Sequence, residues 1–178
     1  MREARGATLL ELLATIAIVA ILGIIAVPSF IAVRYDTERT TAVNELLHAL
    51  FLARSESIKR GAIVSLCRSP DGSTCANTSS GWNDGWIVFV NLNGEEPPQR
   101  DANEPIVARY EGWRAGTITS NRPAYSFRPI NQGLVNGTLL FCDARGGATA
   151  RAIIISHTGR PRVSKRDSDN KPLRCGAR

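Results

Sequence analysis

The chain has 178 residues, which is enough for one ordinary domain with an appendage and too few for two full cores. Its composition, 43% hydrophobic and 21% charged with a net charge of +6, is typical of a folded chain and excludes a disordered one. The hydrophobic residues are concentrated near the N-terminus. No charged residue occurs from Leu12 to Val33. An uncharged, apolar stretch of this length can cross a membrane as a helix, so the sequence predicts a membrane anchor.

Three kinds of N-terminal segment contain such a stretch: a cleaved secretory signal, a plain membrane anchor and a prepilin leader. A secretory signal is cut after its apolar region, but here Ala26-Val27-Pro28 is followed by more apolar residues and a helical pattern. A plain anchor explains Arg2 and Arg5 but gives no reason for Glu11. An acid in such a segment costs roughly 2.5–3.5 kcal/mol at mid-membrane and less near the end, and usually marks function.

The first residues of the chain read MREARGATLLELL and resemble the class III signal of type IV pilins and pseudopilins. The resemblance implies that a prepilin peptidase cuts after Gly6 and leaves the apolar segment in place, and that the new N-terminus, Ala7, is methylated. Glu11 would then neutralise the cationic amine of Ala7, because an unpaired charge is costly in the membrane. In the family, the carboxylate is thought to pair with the amine of a neighbouring subunit during assembly. The alternative is that Glu11 only reaches toward the membrane surface.

The amphipathic pattern after Val33 predicts that the helix continues beyond the membrane. One face is expected to carry the apolar residues Val43, Leu46, Leu47, Leu50, Phe51 and Ile58, and the other the polar residues Thr41, Glu45, His48, Glu56 and Lys59. Gly61 after Lys59-Arg60 is a helix stop, which gives a helix of roughly 80 Å. Pro28 removes one backbone hydrogen bond, so a kink or a locally melted turn is expected there.

Beyond Gly61 the pattern changes to short strands separated by turn residues, such as Asn93-Gly94 and Asn136-Gly137. This alternation predicts an antiparallel β-domain of two small sheets packed on the exposed half of the helix, and so an α+β fold. The expected strands are Ile63–Cys67, Trp86–Val90, Ile106–Tyr110, Thr117–Ser120, Ala124–Phe127, Thr138–Cys142, Arg151–Ser156 and a short piece near Arg162.

Four cysteines, an even number in a domain outside the cytoplasm, favour disulfides. Four cysteines allow three pairings. The expected bonds are Cys67–Cys75, which closes a small Pro-Asp-Gly turn, and Cys142–Cys175, which tethers the C-terminal tail. A zinc site is the alternative, but the spacings are not CxxC pairs and neither histidine is near a cysteine in the sequence. No metal or other cofactor is therefore expected.

Three segments, LCRSPDG at 66–72, GWNDGWIVF at 81–89 and NGTLLFCD at 136–143, resemble the GspH/FimT family of minor pilins in their order and spacing. The resemblance covers almost the whole chain and implies the type IV pilin or pseudopilin fold. The family contains secretion-system pseudopilins, minor pilins that prime pilus assembly, and DNA-binding minor pilins of natural transformation.

The charge distribution bears on the choice among these functions. Residues 1–144 carry a net charge of −1, whereas residues 145–178 carry +7. Within this basic part, Gly159-Arg160-Pro161-Arg162 resembles the Gly-Arg-x-Arg element of FimT-type DNA-binding minor pilins. Pro161 favours an extended Arg160, and residues two apart in an extended chain point to the same side, roughly 7 Å apart. The expected DNA-binding residues are Arg160, Arg162, Lys165, Arg166, Lys171, Arg174 and Arg178.

A basic tail can also be merely solvated, or bind anionic lipid or lipopolysaccharide. The absence of aromatic residues from Ser164 onward argues against base stacking, so duplex DNA would be held through its backbone, with little sequence preference and strong salt dependence. Enzymatic activity has little support, because the sequence contains no nucleophile elbow, phosphate loop or HExxH motif.

The sequence thus predicts a FimT-like minor pilin with a leader at 1–6, a transmembrane half-helix at 7–33, an amphipathic half-helix at 34–60, a β-rich head at 61–163 and a basic tail at 164–178. The expected location is the inner membrane with the head in the periplasm, and then a cell-surface type IV pilus. Its expected partners are double-stranded DNA, other pilins, the prepilin peptidase and the inner membrane. The alternative is a minor pilin or pseudopilin that primes assembly of a pilus or type II secretion filament without binding DNA.

Overall fold

The computed structural model describes residues 8–76, 81–129 and 135–176. The chain divides into two compact units, one up to Thr37 and one from Glu38 to Arg178. Helix α1, Leu9–Arg60, begins in the first unit and ends in the second. The expected cleavage and methylation sites, Gly6 and Ala7, lie outside the described residues.

The first unit is the apolar part of α1. Thr8 caps it: the Thr8 side-chain oxygen accepts a hydrogen bond from the Glu11 amide at 3.3 Å, which satisfies one of the free donors of the first turn. The apolar stretch is long enough to cross a membrane, and its most apolar window has a mean hydropathy of 2.8. The helix continues without interruption across Pro28, so the melted turn expected there is absent. Proline removes only one hydrogen bond, and its fixed φ is close to the helical value.

In the second unit, α1 buries a stripe of mostly small residues at helical spacing: Arg39, Ala42, Val43, Leu46, Ala49, Leu50, Ala53 and Ser57. Two residues that the sequence placed on the buried face, Phe51 and Ile58, are 46% and 62% exposed, so that part of the prediction is wrong. The physical reason is the 3.6-residue period of the helix, which puts Phe51 and Ile58 on a different side from Leu46 and Leu50. The buried face is centred on Leu46, Ala49, Leu50 and Ala53.

The helix ends before Gly61, whose φ is 63°. In the described part of the chain eight strands follow: β1 Ile63–Arg68, β2 Trp86–Asn91, β3 Ile106–Tyr110, β4 Gly116–Ser120, β5 Ala124–Phe127, β6 Gly137–Asp143, β7 Arg151–Ile155 and β8 Pro161–Ser164. Sheet A has the order β3-β2-β1-β5 and sheet B the order β4-β6-β7-β8, and neighbouring strands in both are antiparallel.

One hydrophobic core joins the helix to both sheets. Leu46 and Leu50 of α1 share a cluster with Leu66 of sheet A and with Leu139 and Phe141 of sheet B. All five side chains are completely buried, and each such burial stabilises the fold by roughly 1.5–3 kcal/mol. The predicted α+β class, a long N-terminal helix with an antiparallel β-sheet head, is confirmed.

Candidate nucleic-acid interface

The two faces of sheet B have different surroundings. Leu139 pairs with Ile153, and both belong to the core next to α1. Thr138 pairs with Ile154, which pairs in turn with Arg162. Because side chains alternate along a strand and paired residues share a face, Arg162 lies on the face that points away from the core. We call this the outer face of sheet B.

The Gly-Arg-Pro-Arg segment forms the exit of the hairpin between β7 and β8. The amide of Ser156 donates to the carbonyl of Arg160 at 3.1 Å, and Gly159 has a φ of 72°, which only glycine adopts easily. Arg54 of α1 donates to the Thr158 carbonyl at 2.9 Å and so holds the turn against the helix. Pro161 is buried, whereas the flanking Arg160 and Arg162 are exposed.

The segment after β8 is structured. Residues 165–176, here called the strap, begin with a tight hairpin in which the Asp167 amide donates to the Lys171 carbonyl at 3.0 Å. The Asp167 carboxylate accepts from the amides of Asp169 and Lys171 at 2.9 and 2.8 Å. The Arg166 guanidinium donates to the carbonyl of Asn170, whose φ of 64° allows the turn. The strap is therefore shaped by its own hydrogen bonds.

Two contacts anchor the strap to the outer face of sheet B. Leu173 is buried in a small cluster with Ala152 and Ile154 of β7. Cys175 forms a disulfide with Cys142 of β6, the pairing favoured by the sequence. The expected tail thus crosses the sheet and covers part of its apolar outer surface.

The hairpin exit, β8 and the strap bring six of the seven expected DNA-binding residues, all exposed, into the segment from Arg160 to Arg174. Arg178 lies outside the described residues. An acidic residue, Asp169, approaches Lys171 at 3.9 Å, but both side chains are more than two-thirds exposed and such a pair is weak. We call the six exposed cations the cationic surface: Arg160, Arg162, Lys165, Arg166, Lys171 and Arg174.

A buried charge cluster lies where β6 ends, next to the disulfide of the strap. The Asp143 carboxylate, whose side chain is 0% exposed, contacts the Arg39 guanidinium of α1 at 2.9 Å and the Arg145 guanidinium at 2.7 Å. It also accepts from the Thr149 hydroxyl at 3.0 Å. Sequence reasoning missed this cluster, although Arg39 falls on the buried stripe of α1, where an isolated charge signals a buried partner.

The environment of Asp143 determines its protonation. Burial raises the pKa of the carboxyl, but hydrogen bonds from the Arg145 side chain and amide and from Thr149 outweigh it and lower the pKa from 3.8 to about 2. The carboxylate is therefore charged at every pH near neutrality, and it neutralises a buried arginine.

The second disulfide, Cys67–Cys75, closes the loop after β1, as the sequence favoured. Two arginines fix that loop: Arg100 donates to the Ser73 carbonyl and Arg109 to the Gly72 carbonyl. With all four cysteines paired, the described residues contain no group of three His, Cys, Asp or Glu side chains that could hold a metal ion.

Comparisons with known proteins place this fold in a family. The model of the family described as Type II transport protein GspH matches residues 42–159, about two thirds of the chain. The chain belongs to the GspH family. The family match begins within α1 and ends at Gly159, so it includes the core of this GspH-family protein and stops just before Arg160. The apolar N-terminal helix is consistent with membrane anchoring.

Two crystal structures of the type IV minor pilin FimU from Pseudomonas aeruginosa share the fold. One is 20% identical and has a TM-score of 0.56, and the alignment covers 77% of this chain and 99% of FimU. The other, from a second crystal form, is 21% identical and has a TM-score of 0.55, with 79% and 96% covered. At this identity the likeness establishes a pilin-like fold. No curated protein matches the GspH-family chain.

Proposed function

We propose that this GspH-family protein is a minor pilin that binds extracellular double-stranded DNA through the cationic surface, for uptake in natural transformation. It is made as an inner-membrane precursor with its head in the periplasm, is cut by the prepilin peptidase and enters a type IV pilus beside other pilins. The observation that carries the proposal is the presence of six exposed cations, four of them arginines, between Arg160 and Arg174. Arginine binds phosphate through a planar pair of donors.

The chemistry of this surface favours duplex DNA. The tryptophans and tyrosines that form ring contacts, such as Trp82 with Tyr125 and Trp86 with Tyr110, lie in or against the core and are not available for base stacking. Most of the exposed residues of β8 and the strap are charged or polar, and none of them is aromatic. Contacts would be made to phosphates, which fix position without reading sequence.

The test is the change of Arg160 and Arg162 to glutamine in the full-length protein in non-ionic detergent. If about five cations each neutralise one phosphate, the logarithm of the affinity for duplex DNA should fall against the logarithm of the salt concentration with a slope of about −4 to −5. The double variant should bind more weakly, with a slope flatter by about two. Fluorescence anisotropy of a labelled duplex at several salt concentrations measures both quantities.

The matched control changes two exposed cations outside the cationic surface, Lys59 and Arg114, to glutamine. It removes the same net charge and should leave the slope unchanged. Equal binding by the Arg160/Arg162 variant and this control would refute the assignment of the arginines. No binding by the parent protein would refute DNA uptake as the function.

The second candidate function is a minor pilin or pseudopilin that only primes filament assembly. It is favoured by the family match, because the family is described as a type II transport protein and the match ends before the arginines. Under this alternative the cationic surface would be a solvated face. The parent protein would then fail to bind duplex DNA at low salt, where phosphate contacts are strongest.

Glu11 lies in the first turn of α1, where its amide donates to Thr8. We propose that its carboxylate pairs with the methylated amine of Ala7 during assembly. Changing Glu11 to alanine or glutamine should leave the protein inserted and processed but poorly incorporated into filaments, because the buried amine loses its counter-charge. Glutamine keeps the residue type that suits the first turn and removes only the charge. Immunoblots of sheared filaments and membranes measure the distribution.

The control for this experiment is Thr15→Ala, which removes an exposed hydroxyl one turn further along the same helix. It should be incorporated normally. Normal incorporation of Glu11→Gln would show that the charge of Glu11 has no role in assembly.

A further inference from the structure

A groove lies between β6 and the strap, on the outer face of sheet B. Thr138 and Leu140 line it from β6, and Lys171, Pro172 and Arg174 are among the residues that line it from the strap. Its volume of about 690 Å³ is in the range of roughly 300–1,000 Å³ found for ligand sites. The groove is open to solvent along the strap and combines apolar surface with two cationic side chains.

The groove adjoins the arginines of β8. Thr138, Ile154 and Arg162 form one row across β6, β7 and β8, so Arg162 lies two strands from the groove. With neighbouring strands about 4.8 Å apart, the Cα atoms of Thr138 and Arg162 are roughly 10 Å apart. Side chains stand roughly perpendicular to a sheet, so Arg162 lies beside the groove and not in it, and a duplex longer than the groove can contact both.

The one acidic residue that lines the groove is Asp167. Its carboxylate accepts hydrogen bonds from the amides of Asp169 and Lys171 at 2.9 and 2.8 Å. These donors offset part of its charge and orient it toward the backbone of the strap. Lys171 and Arg174 are both exposed, so the net charge of the groove is positive.

We propose that the groove seats the sugar–phosphate backbone of one strand of duplex DNA. This rests on the proposed function and extends the binding site from the cationic surface onto β6. Lys171 and Arg174 contact phosphates, the Thr138 hydroxyl donates to a phosphate oxygen, and Leu140 and Pro172 pack against the apolar side of the sugars. Charge complementarity selects this occupant, since a phosphodiester chain alternates an anion with an apolar ring as the groove alternates cations with apolar side chains.

The proposed site depends on the position of the strap on the sheet. Lys171 and Arg174 keep their positions beside Thr138 only while Leu173 and the Cys142–Cys175 disulfide hold the strap on the sheet. The groove is therefore a property of the folded outer face and would not exist in a detached basic tail.

The experiment places a negative charge in the groove by Thr138→Glu in the full-length protein in detergent. A carboxylate facing the phosphates should weaken binding of a labelled duplex at least about tenfold, because like charges placed opposite each other are strongly unfavourable. The matched control is Ser55→Glu, which adds the same charge at an exposed position of α1. It should stay within about twofold of the parent, since an exposed charge that does not face the phosphates is screened by salt.

A second variant covers the case in which Thr138→Glu does not fold, as judged by its thermal midpoint. This variant changes Lys171 and Arg174 together to glutamine and leaves the sheet untouched. Its affinity for duplex DNA should be lower, and its affinity should depend less on salt. If both groove variants bind the duplex like Ser55→Glu while the Arg160/Arg162 variant is weakened, the groove assignment is wrong and the proposed function stands. If the parent does not bind, the proposed function itself fails.

An anionic phospholipid dispersed in the same detergent micelles provides the competing ligand. DNA binding lost in the groove variants, with their affinity for the phospholipid head group unchanged, supports the proposal. Loss of phospholipid binding with DNA binding unchanged would overturn it and make the groove a lipid site.

Discussion

Asp143→Ala is expected to lower the free energy of unfolding of the head by about 3–5 kcal/mol, because removing one partner of a buried ion pair leaves the other charge uncompensated. Arg39, with a side chain 4% exposed, would lose the carboxylate at 2.9 Å. Denaturant unfolding followed by tryptophan fluorescence measures the change, since all three tryptophans, at 82, 86 and 113, lie in the head.

The control is Asp169→Ala, which removes an exposed carboxylate from the strap. Such a pair contributes about 0–1 kcal/mol, so this variant should unfold almost like the parent. Equal stabilities of the Asp143 and Asp169 variants would contradict a structural role for the buried cluster.

The lowered pKa of Asp143 adds a pH dependence to this prediction. A carboxyl whose folded-state pKa lies below its unfolded value stabilises the fold above the unfolded value, and the stabilisation is lost as pH falls through the folded value. For a change from 3.8 to about 2 the loss falls between about pH 4 and pH 2 and amounts to about 2 kcal/mol. Asp143→Asn should lack this part of the acid transition, and an unchanged acid profile would show that another group is responsible.

The second large effect concerns the disulfides. Replacing Cys142 and Cys175 by serine opens a loop with a sequence separation of 33 residues, against 8 for Cys67 and Cys75. Chain entropy predicts losses of about 4 and about 2.5 kcal/mol respectively. The same denaturant experiment measures the free energy of unfolding of both double variants, and each variant serves as the control for the other.

The two disulfide variants should also differ in their affinity for duplex DNA. Opening Cys142–Cys175 releases the strap from β6 and should weaken duplex binding, whereas opening Cys67–Cys75 should not, because none of the six exposed cations belongs to the loop that it closes. Equal DNA affinity for the two variants would indicate that the position of the strap is irrelevant to binding.

Much of the fold follows from local sequence patterns. Alternation of apolar and polar residues between turn signals predicts all eight strands, and Gly61 marks the end of the helix. Where the observed strands are longer, as for Arg68, Asn91 and Asp143, the extra residue is polar, so alternation gives no signal for it. The pattern misplaces Phe51 and Ile58 because both are large and apolar, although the 3.6-residue period of the helix puts them on a different side from the fully buried Leu46.

The candidate site was only partly predictable. The identities of the cationic residues are visible in the sequence, because Gly-Arg-Pro-Arg and the excess of arginine are local features. The groove is not, since it depends on Leu173 and Cys175 folding back onto strands that precede them by more than 15 residues. The Arg39–Asp143 contact joins residues 104 apart, and no short-range pattern encodes such a pairing.

The anchoring of the strap has a mechanical consequence. If DNA held on the strap were pulled by a retracting filament, the tension would pass from Cys175 through a covalent bond into β6. That strand is flanked by hydrogen-bonded neighbours, β4 and β7, on both sides, and its last residue, Asp143, is tied to Arg39 of α1. Part of the load would therefore reach the helix without passing through the edge strand β8, so the head could transmit force that noncovalent attachment of the strap through Leu173 alone would not bear.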